Sequence, residues 1–260
     1  MTPIPKASRH IVGDTLRRLG VKKHVHWVVN RLPPALQRVA VGVGVKKELV
    51  PRERLMEVQQ AGLRWLTRNG TKTLGDYLEF GVYQGTSLSC FHDSSLALGL
   101  TQMRLFGFDS FEGMPPQSDD EDLGVWTAGQ YRSSIDYTRA YLTHHAVDWQ
   151  RTWLIKGWFC DTATPALAVE HDIRKASFVM IDCDLYSSTM DAFRFIEPML
   201  QGEVVMIFDD WDSYGLEAAN LGEKKAFEEF LAEHPRWQAQ EQPSYQAWSR
   251  VFYLTETGST

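Results

Sequence analysis

The sequence predicts an α/β fold, a mostly parallel sheet covered by helices on both faces. Three observations predict it. From residue 52 onward, short apolar runs alternate with segments of helical periodicity. Runs such as VVMIF, and VMID up to its terminal acid, are apolar, as buried strands are. Successive runs also end on glycine or on an acid, at Glu79/Gly81, Asp109, Gly157, Asp182 and Asp209. Open parallel sheets bind ligands outside the carboxyl ends of their strands, so these are the positions to watch.

The elements follow in order. Residues 52–68 come after a proline and carry apolar residues at helical spacing. The run 76–82 is the first strand, 84–98 a helix, and 104–109 the second strand, ending on Asp109. The stretch 112–135 is polar, rich in proline and acids, and too long for an ordinary connection, which marks a functional loop. Its Trp126 and Tyr131 are candidate walls for an aromatic or glycosidic ligand, or loop anchors. Then come a helix over 136–145, a strand over 152–157, a helix over 162–174 and a strand over 177–182. A helix over 188–200, a strand over 203–210, a helix over 222–233 and a closing pair of strands within 236–254 complete the chain.

Composition bounds the class. Of 260 residues, 43% are hydrophobic and 23% charged, values of a globular protein with ample material for a core. The longest aliphatic stretch, Val39–Val45, is far short of the ~20 apolar residues that span a bilayer. No signal-peptide core follows Met1, and three cysteines without CxxC spacing support neither a disulfide framework nor a zinc knuckle. The expectation is a cytoplasmic protein without membrane or nucleic-acid partners. Residues 1–54 sum to +9, which leaves −15 for the remainder of a chain with net charge −6. Residues 1–50 are therefore expected to form a basic helical extension, docked on an acidic domain over 51–260 or on a twin subunit.

Three constellations carry chemistry. In Glu79-Phe80-Gly81-Val82-Tyr83-Gln84-Gly85-Thr86-Ser87 a strand turns into a helix through glycines. Gly81 lets the backbone approach a ligand, the helix start offers free N–H groups, and GxxxG is not the GxGxxG of a dinucleotide site. Asp109, at the next strand end, can accept both hydroxyls of a ribose. Asp182-Cys183-Asp184 and Asp209-Asp210 bring carboxylates together at adjacent strand ends, where repulsion calls for a cation. An all-oxygen set suits Mg²⁺, Mn²⁺ or Ca²⁺. Trp158 and Phe159 can cover a purine or fill core. His144, His145 and His171 read as exposed helix residues, and the cysteines as core.

LEFGVYQG (78–85), FDSFEGMP (108–115), KGWFCDT (156–162), IDCDLYSSTMDA (181–192) and FDD (208–210), in this order, resemble the macrocin O-methyltransferase family. These are metal-dependent tailoring enzymes of natural-product biosynthesis that use S-adenosylmethionine. The resemblance spans about residues 76–225. It implies the class I methyltransferase sandwich, with seven strands and one antiparallel edge strand. It implies cofactor contacts from Glu79, Gly81, Tyr83, Gly85, Thr86, Asp109, Ser110, Gly157, Trp158 and Asp182. It assigns Mg²⁺ to Asp182, Asp209 and Asp210, and the general base to Asp184, with Asp182 also catalytic. It implies a homodimer, with the N-terminal segment and the long loop forming a lid. The chain departs from the family at Cys183, where glycine is common, and at Ser187, where glutamate is common. Trp211 and Tyr214 are added near the expected acceptor pocket, so the acceptor does not carry over.

The resulting expectation is O-methylation of a vicinal diol, sugar or catechol-like hydroxyl on a small molecule. Two alternatives stay open. Asp182-Cys183-Asp184 also looks like the DxD of a metal-dependent glycosyltransferase, although the Gly81–Gly85 turn and Asp209-Asp210 have no role there. A methyltransferase-like scaffold could instead bind a partner without turnover. A phosphatase pattern, DxDx(T/V), fails because its fifth position is Tyr186.

Overall fold

The computed structural model describes residues 49–70 and 74–258. The basic helical extension expected over residues 1–50 lies outside the described residues, apart from Leu49 and Val50. None of the described helices is long and apolar enough to cross a membrane.

The elements are α1 (Arg52–Thr67), β1 (Asp76–Phe80), α2 (Thr86–Ala97), β2 (Leu105–Asp109), α3 (Ile135–His144) and β3 (Thr152–Lys156). They continue with α4 (Phe159–Thr162), α5 (Pro165–Glu170), β4 (Ala176–Ile181), α6 (Tyr186–Ile196) and β5 (Leu200–Phe208). The last are α7 (Leu216–Ala219), α8 (Gly222–Glu233), β6 (Trp237–Gln242) and β7 (Arg250–Glu256). One seven-stranded sheet runs β3-β2-β1-β4-β5-β7-β6. Its first five strands pair in parallel, and β7 runs antiparallel to both β5 and β6. The chain winds outward from β1 to β3, then returns to β4 and winds the other way, so the order reverses between β1 and β4. This is the class I methyltransferase sandwich.

All five residues of β1 and all six of β4 are buried. Alternation decides which side each residue serves. Tyr77, Phe178, Met180, Val205 and Ile207 pack with α1 and α2, among Leu55, Leu63, Leu88 and Phe91. Leu78, Phe80, Val179, Ile181, Met206 and Phe208 pack on the other face with Phe193, Phe195 and Phe227 of α6 and α8.

Two expected helices differ. The helix over 162–174 is two short ones, because Thr164 caps a new start at Pro165 by accepting the Leu167 N–H at 3.3 Å. The helix expected over 188–200 starts at Tyr186 and stops at Ile196, where Pro198 forces a 3-10 turn before β5. The early start has a tertiary cause in the long loop. Asp122 Oδ2 accepts the Tyr186 N–H at 2.8 Å, and its Oδ1 accepts the Gly222 N–H at 3.0 Å. One buried carboxylate thus caps both α6 and α8. Glu121 accepts the Ser187 N–H and hydroxyl at 2.6 and 2.7 Å. The loop acids are helix caps supplied from a distance, and they pin the loop beside the strand ends.

Cys90 and Cys183 are core, as expected, but Cys160 is exposed, because it lies in the first turn of α4 beyond the strand end. His144 is exposed, whereas His171 is half-buried, its ring edge-on to Phe106 at 5.7 Å, because α5 ends before it and turns it back onto the sheet.

The parallel ladder continues one residue past the strands. Gly81 N–H donates to Phe108 O at 2.9 Å, and Asp182 N–H to Phe80 O at 2.8 Å. Asp209 N–H donates to Ile181 O and Gly157 N–H to Asp109 O, both at 3.0 Å. The acids and glycines singled out in the sequence therefore stand in one row across five strands.

Gly81 has φ of 92°, and a Cβ there would sit 1.6 Å from the Asp182 carbonyl oxygen. Gly81→Ala is expected to lower stability by about 3 kcal/mol or more in urea denaturation; a loss below about 0.5 kcal/mol would contradict the close approach. Asp122→Ala should cost about 2 kcal/mol, since two helix starts lose their cap. Native-state hydrogen exchange should then show early opening at Tyr186 and Gly222 together, and protection kept at both would refute the double cap.

Candidate active site at the strand ends

The row of strand ends forms the floor of a cavity of about 640 Å³. It opens over the crevice between β1 and β4, the switch point of the sheet. Eleven of the expected site residues line it: Gly81, Tyr83, Thr86, Asp109, Ser110, Gly157, Trp158, Asp182, Asp184, Asp209 and Asp210. Glu79 and Gly85 do not. Glu79 shares the α1–α2 side of β1 with Tyr77 and is fully buried. Its carboxyl accepts from the Ser87 hydroxyl at 2.6 Å and from the Tyr77 hydroxyl. Burial, more than any neighbour, pushes it up to about 8. Glu79 thus braces the start of α2 from beneath. Gly85 lies behind the wall, where a Cβ would meet Leu142 at 2.8 Å.

Asp109 lines the cavity but is already engaged. Its Oδ2 accepts the Val82 and Tyr83 N–H groups at 2.9 and 2.8 Å, and its Oδ1 accepts the Phe111 N–H at 2.6 Å. A carboxylate offers about four acceptor positions, so about one remains for a ligand. Asp109 shapes the glycine turn first. Trp158 is half-buried on the cavity wall. Phe159, beside it, also meets the core edge-on at Phe80, at 5.5 Å.

The carboxylates converge. One oxygen each from Asp182, Asp209 and Asp210 lies within 4.8 Å of the others. At that separation two like charges repel by roughly 3 kcal/mol at an effective dielectric constant of about 20. Burial, then Asp209 and Asp210, raises Asp182 well above the usual carboxylate range. Burial and then Asp210 push Asp209 up to about 7. Asp184 bonds Asp210 and is raised by burial first, then by that carboxylate. It also has a φ of 66°, rare for a non-glycine residue, which turns its side chain into this cluster. Protons or a cation must relieve such a group, and these oxygens fit a hard divalent ion. Asp209 Oδ1 is oriented by the Tyr245 hydroxyl and by Gln246 Nε2 at 2.8 Å. Asp210 Oδ1 accepts from the Ser213 hydroxyl at 2.6 Å.

Glu223 is a site residue the sequence did not reveal. It is fully buried at the first turn of α8, where its Oε2 accepts the Asp210 N–H at 3.0 Å and its carboxylate stands close to Cys183. It holds the Asp210 loop beside the Asp182-Cys183-Asp184 loop. In the sequence GEKKAFEEF it looks like a solvated helix start. Tyr245 and Gln246 were also missed, because only the fold brings the turn before β7 to Asp209.

Aromatic residues form the outer wall. Trp126 meets Tyr214 edge-on at 5.0 Å and Tyr131 at 6.3 Å, and Tyr131 meets Tyr83 at 6.0 Å. The three tyrosines, Tyr83, Tyr131 and Tyr214, have φ of 48°, 54° and 56°. Burial, and then Asp184 and Asp210, raise the Tyr131 phenol, so this ring stands next to the acids.

Residues 43–234 match the macrocin-O-methyltransferase (TylF) family. Among curated relatives, the chain is 29% identical over 143 residues to 8-demethyl-8-(2,3-dimethoxy-alpha-L-rhamnosyl)-tetracenomycin-C 4'-O-methyltransferase of Streptomyces olivaceus, covering 53% of each chain. It is 27% identical over 146 residues to mycinamicin III 3''-O-methyltransferase of Micromonospora griseorubida, covering 53% of this chain and 55% of that one. The chain thus spans about half the length of the curated relatives it matches. Among solved structures it is similar to the O-methyltransferase NovP, with TM-score 0.60, 21% identity and coverage of 78% of this chain and 79% of that one. It is also similar to CalS11, a calicheamicin methyltransferase, with TM-score 0.59, 22% identity and coverage of 86% and 93%. These likenesses establish the fold. The family match covers most of the chain, and the chain belongs to the macrocin O-methyltransferase family.

Proposed function

We propose that this protein is an S-adenosylmethionine-dependent, divalent-metal-dependent O-methyltransferase acting on a small-molecule hydroxyl. One observation carries the reading: a single cavity holds both the Gly81 crevice at the switch point and the cluster of Asp182, Asp209 and Asp210. Family membership and relatives that are tailoring O-methyltransferases support it.

When bound, S-adenosylmethionine supplies a methyl group activated on sulfonium, and a divalent cation acidifies a hydroxyl held beside it. The protein's own part is orientation and proton transfer. Gly81, Thr86, Ser110 and Trp158 line the cofactor end of the cavity, and Asp182, Asp209 and Asp210 hold the cation. Tyr131 and Trp126 wall the acceptor and exclude water. Asp184 would accept the acceptor's hydroxyl proton as its oxygen takes the methyl group that the bound cofactor would supply, the cofactor leaving as the neutral thioether. The products are a methyl ether, S-adenosylhomocysteine and a protonated carboxyl. An acceptor with two neighbouring oxygens, as in a vicinal diol or catechol, suits a cation held on one side by three carboxylates.

Calorimetry of the full chain with S-adenosylhomocysteine and Mg²⁺ tests the reading. Both should bind, and Asp182→Ala should lose Mg²⁺ while changing cofactor affinity less than about threefold. Absence of cofactor binding, with uptake of a nucleoside-diphosphate sugar instead, would defeat the proposal in favour of the glycosyltransferase.

The pH dependence has a definite sign. Without a cation, the raised carboxyls make folding favour the protonated form, so stability is lost as pH rises from about 4 through about 7. A cation holds these groups ionised, so Mg²⁺ binding should release protons and tighten by about tenfold between pH 6 and 8. Calorimetry in buffers of different ionisation enthalpy reads the proton count; zero release would refute the assignment. Glu223→Ala should weaken Mg²⁺ binding by about tenfold while Glu223→Gln, which keeps an accepting oxygen, should weaken it less. Equal effects of the two would show that the hydrogen bond to Asp210 is not what matters.

A further inference from the structure

The cavity is strongly one-signed. Seven aspartates line it, and among the described residues no lysine, arginine or histidine does. A divalent cation and a cofactor of net single positive charge bring three positive charges between them. Asp191 is offset by Arg194, at 2.6 Å. The remaining excess is negative.

The acid that stands closest in the chain to the exposed lining residue Tyr214 is Asp212. Its N–H donates to Trp248 O at 2.9 Å, its Oδ1 accepts the Glu217 N–H at 3.3 Å, and no cationic side chain among the described residues pairs with it. Around it stand large aromatic surfaces that the fold leaves open: Tyr214 is 66% exposed and Trp248 is 45% exposed, and both line the cavity. Tyr214 is held there on left-handed backbone and braced edge-on by Trp126. Trp126 is itself buried on the cavity wall, and its indole N–H has no partner among the described residues. A carboxylate among aromatic faces is the chemistry that recognises an ammonium group. A phosphate or carboxylate in the same place would meet only like charge.

We infer that the acceptor is a hydroxyl compound bearing a protonated amine, with its ammonium beside Asp212, Tyr214 and Trp248, and that anionic acceptors such as nucleotide-activated sugars are rejected. This rests on the methyltransferase reading, whose cofactor and cation occupy the inner part of the same cavity.

Three catechols that differ only in the charge on a two-carbon arm test it: dopamine, 4-ethylcatechol and 3-(3,4-dihydroxyphenyl)propanoate. Their binding is measured calorimetrically on the full chain saturated with S-adenosylhomocysteine and Mg²⁺. At low salt dopamine should bind about tenfold tighter than the propanoate, with 4-ethylcatechol between them, and the gap should shrink at about 0.5 M salt. Asp212→Asn and Tyr214→Leu should each narrow the gap between dopamine and 4-ethylcatechol by about threefold. Equal affinities, the reverse order, or no binding of any of the three to protein that has taken up S-adenosylhomocysteine would overturn the inference and leave the methyltransferase reading standing. Failure to take up S-adenosylhomocysteine would overturn that reading, and this inference with it.

Discussion

The in-register ladder across β3, β2, β1, β4 and β5 is the constraint on which the rest depends. Each strand gains its hydrogen bonds only in a register that aligns its neighbours, and the ladder runs one residue beyond them, through Gly81, Asp182, Asp209 and Gly157. Backbone bonding therefore fixes where four loops begin. At β1 and β4 the approach is so close that a single methyl group at residue 81 would overlap the Asp182 carbonyl. Glycine there is a requirement of this contact as well as of its φ. Because the strands between the two apolar layers are wholly buried, neither β1 nor β4 can shift to relieve crowding at its end.

That rigidity lets the fold hold an unfavourable arrangement. Burial raises the affinity of Asp182, Asp184, Asp209 and Asp210 for protons, and Asp210 raises that of the other three further. In a flexible loop such groups would separate into water. Here Tyr245 and Gln246 hold Asp209, Ser213 holds Asp210, and Glu223 holds the Asp210 backbone. A site poised in this way stores repulsion that a divalent cation would discharge, and its charge would extend outward as a field. Other strain lies along the same wall, where Tyr83, Tyr131 and Tyr214 adopt left-handed backbone. Such conformations persist only where their surroundings over-determine them. Here Trp126 braces Tyr131 and Tyr214 edge-on, and Tyr131 in turn meets Tyr83.

The sequence by itself determined the α/β layering, the positions of β1 to β5 and the candidate acids at their ends. The reason is local: buried parallel strands read as short apolar runs, and a functional acid directly after one cannot be hidden among solvated charges. It also carried the family resemblance, because Asp109, Asp182 and Asp209-Asp210 lie within short motifs. Tertiary structure decided what those residues face. Glu79 is one pleat away from the cavity side, so alternation in β1 sends it under α2 instead. Asp109 is consumed by three N–H groups of neighbouring turns. Glu121 and Asp122 become helix caps about 65 and 100 residues away, which no local pattern can announce. Glu223 and Tyr245 reach the site only because α8 and the turn before β7 fold over β5. A side chain's chemistry is written in its own residue, but its partners are chosen by packing between distant segments, and that choice was made only when the sheet closed.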